Sequence, residues 1–397
     1  MKNKIIIFRM TNACNLNCEY CYDKCNHITV KKENEDFSEK IPNIIKYIEE
    51  IWKEKDEKAE IIFHGGEPLV INPENYINLM EKIKEKFNKV RFSIQTNATL
   101  INEKYIEIFK KYDVHIGISL DGYDEETNKY RVYKSGRNSF KNVIEKISLL
   151  QDNNIKFGVI MTVNRTVLDN ELKLYNFIKK YNLNCNIRPA FKSADNSNID
   201  YMNEKEYYLF FTNLFNIWIN DKNAEVKISQ IKELKDEFIK VLEPNYCNRS
   251  CSSSECCQHN FISLDRNGNV YSCNRTYNNK KFFYGNLQKN SMQQIEEKIN
   301  KLCEERKEYI RSSKCHNCIL YTECYGGCPA NAYSLHNKIN SLDDEYCNAK
   351  IKIRMYVKEY IEKHNLNNEY KEMKENGELY IKWEYYNKNS MWRAIDT

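Results

Sequence analysis

The distribution of cysteines constrains this chain more than any other feature. Sixteen thiols occur in 397 residues, and they cluster. Cys14, Cys18 and Cys21 share one short segment, and most of the others crowd between Asn245 and Asn348. Cysteines used only for packing have no reason to gather in this way. The opening MKNKIIIFRM is too short an apolar run for an export signal, so a cytoplasmic protein is expected. A reducing compartment would not keep eight disulfides. The clustering therefore points to metal or iron–sulfur ligation. No apolar run approaches the ~18 residues of a membrane helix, so no membrane partner is expected. The net charge of +5 comes from interspersed residues, which argues against a nucleic-acid footprint. With 41% hydrophobic and 29% charged residues, a sizeable core is within reach and disorder is not expected.

Up to about residue 190 short β-rich runs alternate with amphipathic stretches of helical spacing. Lys4–Phe8, Glu60–His64, Val90–Gln95, Val114–Leu120, Lys156–Val163 and Cys185–Pro189 read as strands. Ile41, Ile44, Ile45, Ile48 and Ile51 form a helical stripe. So do Tyr76, Ile77, Met80, Ile83 and Phe87, and Phe140, Val143, Ile144 and Ile147. Strict alternation implies a parallel sheet. Six strands fall short of the eight of a closed barrel, so the expected class is α/β, a partial (β/α)6 barrel with an open side. Residues 1–235 would form this barrel and a bridging helix. Residues 236–348 would form a small cysteine-rich iron–sulfur domain. The tail, 349–397, would begin as a helix and end in a strand, where Leu379, Ile381, Trp383 and Tyr385 alternate with other residues. The unusual residues follow strands one to four: Cys14–Cys21, Gly65–Pro68, Thr96–Thr99 and Ser119–Gly122. Those are carboxyl ends of parallel strands, where such folds place active sites.

The run Cys14-Asn-Leu-Asn-Cys18-Glu-Tyr-Cys21 offers three thiolates on one loop. Three thiolates hold three irons of a [4Fe–4S] cube and leave the fourth open to a substrate. A structural zinc ion is the rival and would require Cys25 or His27 as fourth ligand.

On this motif the segment from residue 4 to about 190 resembles the radical SAM enzymes. The resemblance implies that the open iron binds S-adenosylmethionine and that one electron cleaves it to a 5′-deoxyadenosyl radical, which takes hydrogen from the substrate. His64-Gly65-Gly66-Glu67-Pro68 is similar to the family's GGEP segment, which contacts the methionine amino group. That implies cofactor contacts for Gly65, Gly66 and Glu67, the glycines baring backbone carbonyls for a close ammonium. Gln95-Thr96-Asn97 and Ser119-Leu120-Asp121-Gly122 are similar to the segments after the third and fourth strands. Asn97, Ser119 and Asp121 are thus candidate cofactor contacts, and Arg131 is a candidate partner of the SAM carboxylate. Capping or surface roles for Asn97 and Arg131 stay open.

Further on, Cys315-x2-Cys318-x5-Cys324-x3-Cys328, then Cys347, with Gly268-x4-Cys273 upstream, resembles the SPASM extension of peptide-modifying radical SAM enzymes. The resemblance implies two auxiliary [4Fe–4S] clusters. Cys315, Cys318, Cys324 and Cys347 would hold the outer one; Cys251, Cys257, Cys273 and Cys328 the inner one. Cys256 and Cys247 stay open as alternatives, as does a zinc ribbon. Cys25, Cys185 and Cys303 are left as packing thiols. The expected activity is maturation of a ribosomally made peptide, forming a thioether, another crosslink or an epimer. The expected partners are that peptide or a protein, and an electron donor such as a flavodoxin or ferredoxin. With the first strand at Lys4, no leader-binding domain is expected in front. A separate leader-binding protein, or the tail by strand addition, would serve instead. The alternative is anaerobic sulfatase maturation, which oxidises Cys or Ser to formylglycine. Those enzymes carry an Asp base after the cysteine matching Cys273; here the residue is Asn274. An amide is no base at neutral pH. A non-catalytic electron-transfer scaffold is the third alternative, against which the open three-cysteine site argues.

Overall fold

The computed structural model describes residues 4–23, 30–55, 57–192, 199–221, 231–243, 246, 251 and 254–368. Cys25, His27, Cys247 and the expected terminal strand lie outside them. Strands and helices alternate as the hydrophobic pattern requires: β1 (Ile5–Thr11), α1 (Val30–Ile51), β2 (Ala59–Gly65), α2 (Pro73–Lys86), β3 (Val90–Thr96), α3 (Glu103–Tyr112), β4 (His115–Ser119), α4 (Phe140–Asp152), β5 (Phe157–Val163), α5 (Glu171–Lys180) and β6 (Cys185–Pro189). Then come α6 (Glu204–Asn220), α7 (Lys232–Leu242), β7 (Phe261–Asp265), β8 (Asn269–Tyr271), β9 (Phe283–Asn286), α8 (Met292–Arg311), α9 (Tyr321–Cys324), α10 (Pro329–His336) and α11 (Cys347–Lys363). The strand order is β6-β5-β4-β3-β2-β1-β7-β8-β9, an unclosed sheet. The fold is α/β, a partial barrel, as expected. No helix among the described residues is long and apolar enough to cross a membrane.

The chain divides into two compact units that do not follow chain order. The first comprises Met1–Ser119, Tyr130–Phe157 and Glu255–Ser312; the second comprises Leu120–Lys129, Gly158–Ser254 and Ser313–Thr397.

In the first unit β1 is buried at all seven positions, Ile-Ile-Ile-Phe-Arg-Met-Thr. Such an unbroken run suits a parallel strand covered on both faces. It pairs in parallel with β2, Ile6 opposite Ile61, and on its other edge with β7, Ile6 opposite Ile262. The strand after the cysteines at 256 and 257 thus extends the sheet at the edge of β1. β8 and β9 continue it antiparallel. Helix ends carry local signals. Asn72 and Asn102 cap α2 and α3 by accepting from the backbone N–H groups of Asn75 and Tyr105, and Ser291 with Gln294 forms a capping box on α8.

In the second unit β5 and β6 pair in parallel from Val159 opposite Cys185. Helix α11 lies against α6 and α7. Phe215 meets Tyr356 and Tyr360 edge-on. Arg354 forks onto both oxygens of Glu323 at 2.7 Å and also pairs with Glu237. The segment expected to open a tail is therefore packed core, with Ile353, Val357 and Ile361 buried. Cys185 is a buried packing residue of β6, as expected.

Candidate active site

The loop carrying Cys14, Cys18 and Cys21 leaves the carboxyl end of β1. Backbone bonds hold it: Asn17 N–H donates to Val132 O at 2.7 Å and Glu19 N–H to Tyr130 O at 3.0 Å. The three thiols are partly buried. Burial pushes Cys21 up to about 12, and the nearby thiols of Cys18 and Cys14 add to the shift. Thiols gathered so closely resist ionising together unless a cation stands among them, which is the donor chemistry an iron–sulfur cluster requires.

The next loop is moulded onto this one. Gly66 N–H donates to Thr11 O at 2.9 Å, and Glu67 N–H to Ala13 O at 2.8 Å. A Cβ on Gly66 would stand 2.2 Å from Ala13 O, and one on Gly65, at φ +133°, 2.4 Å from Thr11 O. Both glycines are thus demanded by the backbone of the cysteine loop, a reason the sequence alone did not disclose. Glu67 is 1% exposed. Its carboxylate accepts from Leu69 N–H at 3.0 Å, Thr96 Oγ1 at 2.6 Å and Asn97 N–H at 2.7 Å. Burial raises its pKa against the pull of those donors. Asn97 closes the circuit: its Nδ2 donates to Asn15 Oδ1 at 2.9 Å and lies 4.0 Å from Cys14 Sγ. Four of the expected positions, Cys14, Gly66, Glu67 and Asn97, are therefore brought into one network.

The remaining candidates are placed as follows. Ser119 accepts from Gln95 Nε2 at 2.9 Å. Arg131 is buried and donates to the Tyr20 hydroxyl at 2.7 Å, beside the cysteine loop. Asp121 belongs to the second unit, where its Oδ1 accepts from Thr162 N–H at 2.9 Å.

Asn274 follows Cys273 and is 3% exposed. Its Oδ1 accepts from Arg9 Nη1 at 3.0 Å, and its Nδ2 donates to the Tyr22 hydroxyl at 2.8 Å and to His64 Nδ1 at 3.1 Å. His64 Nδ1 also accepts from Gly65 N–H at 2.9 Å. Burial and the Arg9 charge push His64 down to about 4, so the ring is neutral. Arg9 is 2% exposed, pairs with Asp23 and lies 3.9 Å over the Tyr277 ring. Sequence reading missed Arg9, Tyr22, Asp23 and Tyr277. The available signal was an arginine inside an apolar central strand.

The other cysteines fall into two sets. Cys315, Cys318, Cys324 and Cys347 line one cavity together with Asp343 and Lys350. Burial pushes Cys347 up to about 11. Asp343 and the Cys324 thiol hold Lys350 above its usual value in spite of burial. Asp343 also accepts from Cys328 N–H at 3.1 Å and from Asn331 Nδ2 at 3.1 Å. Of the other set, Cys257 and Cys273 belong to the first unit, where both stand near the Tyr284 hydroxyl; Cys251 and Cys328 belong to the second. Cys303, expected to be incidental, is instead disulfide-bonded to Cys256. Residue 303 lies on the buried face of α8, a helix not anticipated from the sequence, and that face turns it toward residue 256.

Residues 8–178 match the model of the Radical SAM superfamily. The chain therefore carries a radical SAM domain. It is 29% identical over 345 residues to the cysteine-type anaerobic sulfatase-maturating enzyme of Clostridium novyi, covering 82% of this chain and 88% of that one. It is 26% identical over 377 residues to the radical SAM cyclopropyl synthase TigE of Paramaledivibacter caminithermalis, covering 89% and 74%. A solved structure of anSMEcpe with bound AdoMet and the Cp18Cys peptide superposes with a TM-score of 0.72 at 23% identity, over 92% of this chain and 99% of that one. The last likeness is one of fold.

Proposed function

We infer that this protein is a radical SAM maturase of a peptide or protein that does not form formylglycine. The observation that carries the reading is the state of Asn274, a neutral amide whose oxygen is engaged by Arg9 and whose nitrogen by Tyr22 and His64. Formylglycine formation needs a base within hydrogen-bond reach of the substrate side chain. An amide has no lone pair basic enough, and its oxygen is already claimed by a guanidinium.

Cys14, Cys18 and Cys21 fit a [4Fe–4S] cluster, which when bound supplies one electron to S-adenosylmethionine. This chain's residues do the positioning. Gly65 and Gly66 let the second loop close on the cysteine loop. Glu67 and Asn97 lock that loop to the end of β3. Ser119, Asp121 and Arg131 remain candidate contacts for the ribose, the methionine polar groups and the carboxylate. Cys315, Cys318, Cys324 and Cys347 converge on one cavity, which supports an outer auxiliary cluster; the charge of the partly buried Lys350 would offset its thiolates. Cys251, Cys257, Cys273 and Cys328 are proposed for an inner cluster. The bonding of Cys256 to Cys303 supports Cys257 over its neighbour. The electron donor would be a small reductant protein such as a flavodoxin or ferredoxin.

The test compares two peptides after anaerobic incubation with S-adenosylmethionine and reductant: a sulfatase peptide with Cys in a CxPxR context, and a short peptide encoded beside this gene. Mass spectrometry should show the first unchanged and the second lighter by about 2 Da for a crosslink. Efficient conversion of the sulfatase peptide would overturn the reading.

A further inference from the structure

Outside the proposed cluster residues, Cys256, His259 and Cys303 bring one ligand atom each within 4.8 Å of one another. Among the described residues no other Cys, His or carboxylate group of three meets that distance. Atoms so close converge on a single ion. Thiolates of an iron–sulfur cube bind separate irons and stand further apart. Cys256 and Cys303 are buried, with Cα atoms 5.7 Å apart, and His259 sits at the surface side. Its Nε2 lies 3.2 Å from Asn300 Oδ1, which as a donated bond leaves the lone pair on Nδ1. The turn is pinned by Lys4 Nζ, 2.9 Å from His259 O.

The geometry points to a mononuclear soft-metal site, of the zinc class, held by Cys256, Cys303 and His259. Two thiolates, a neutral imidazole and a divalent ion sum to zero charge, so the pocket holds the metal without a buried net charge. Gln258 completes the surroundings. Its side-chain amide stands 3.3 Å from Cys256 Sγ and 3.8 Å from Cys303 Sγ at one end, and 3.2 Å from Ser272 Oγ at the other. Its two ends are interchangeable by a half-turn, after which Nε2–H donates to the sulfurs and Ser272 Oγ–H to Oε1. Thiolate ligands call for that donor. The disulfide is the metal-free form. A dithiol opens it to two thiols by passing on two electrons and two protons and closing its own disulfide; a phosphine gives the two electrons, water gives the two protons, and the water oxygen ends on the phosphine oxide. The ion displaces both thiol protons on binding.

The protein with its iron–sulfur content restored is reduced anaerobically with a phosphine, given zinc, and washed with a weak chelator. About one zinc per chain should remain beside unchanged iron, with two sulfur scatterers at about 2.3 Å and one nitrogen at about 2.0–2.1 Å at the zinc absorption edge. Cys303→Ser and His259→Ala should each lose that zinc and keep the iron. His259 is exposed, so the second variant serves if the first misfolds. Zinc that washes out of the reduced protein, zinc kept equally by both variants, or iron lost with Cys303→Ser would each overturn the site. None of these outcomes bears on the peptide reading, which stands on Asn274.

Discussion

The proposed reading turns on one amide, Asn274, held by Arg9, Tyr22 and His64. Asn274→Asp would place a carboxylate against Arg9, Tyr22 and His64 without altering the chain's course. If only the base is missing, the variant should convert the sulfatase peptide where the parent gives none, since a positioned base contributes on the order of 10²–10⁴-fold. The measurement is formylglycine yield by mass spectrometry. His64 gives a second test. Its folded-state pKa, about 4, lies below its unfolded value near 6.5, so the unfolded chain binds the extra proton. Stability should therefore be complete above about pH 6.5 and decline toward about pH 4, by up to about 3 kcal/mol. His64→Gln should flatten that slope in denaturant melts run from pH 7 to pH 5; an equal slope would show the ring is not held neutral. The sequence disclosed Asn274 because its neighbour Cys273 fell in a recognisable spacing. It did not disclose Arg9 or Asp23, because nothing local says that a strand residue at position 9 will face a turn at 274.

At the scale of single elements, the loops after β1, β2 and β3 act as one piece. Their glue is Glu67 and Asn97, and their fit depends on the absence of two side chains. Gly66→Ala drives a methyl into Ala13 O and should displace the cysteine loop. Iron should fall by about four atoms per chain, and S-adenosylmethionine cleavage should be lost, while iron held elsewhere stays. Iron analysis and product chromatography read both. The strands of the first 190 residues are legible as short runs rich in Ile, Val and Phe, with ends off by at most three residues. Helix α8 was not, although Ser291 and Gln294 mark its start, because its mean composition is polar and its buried stripe is spaced among charges. The parallel partner of β1 could not be read at all. Pairing across some 250 residues leaves no local trace, and β7 alone reads as a strand with any neighbour.

For the whole molecule, the cysteine assignment predicts a count. Three cubes amount to about 12 Fe per chain in the reconstituted anaerobic protein. Replacing Cys14, Cys18 and Cys21 together by Ala should leave about eight and abolish 5′-deoxyadenosine formation. A parent value near four, with zinc making up the difference, would remove the auxiliary clusters from the account. The pairing of β1 with β7 has a consequence for how the chain is made. The strand that carries the cysteine loop emerges from the ribosome well before its partner, and one of its two edges waits for residues 261–265, some 250 residues later. Until then an apolar strand stands with open hydrogen-bonding groups, a template for the wrong neighbour. Synthesis slow enough to expose that edge, or a truncation ending near residue 235, should send the nascent chain into aggregates rather than into a smaller working enzyme. Ribosome-bound chains of increasing length, probed by limited proteolysis, should gain protection of β1 only once residue 265 has cleared the exit tunnel.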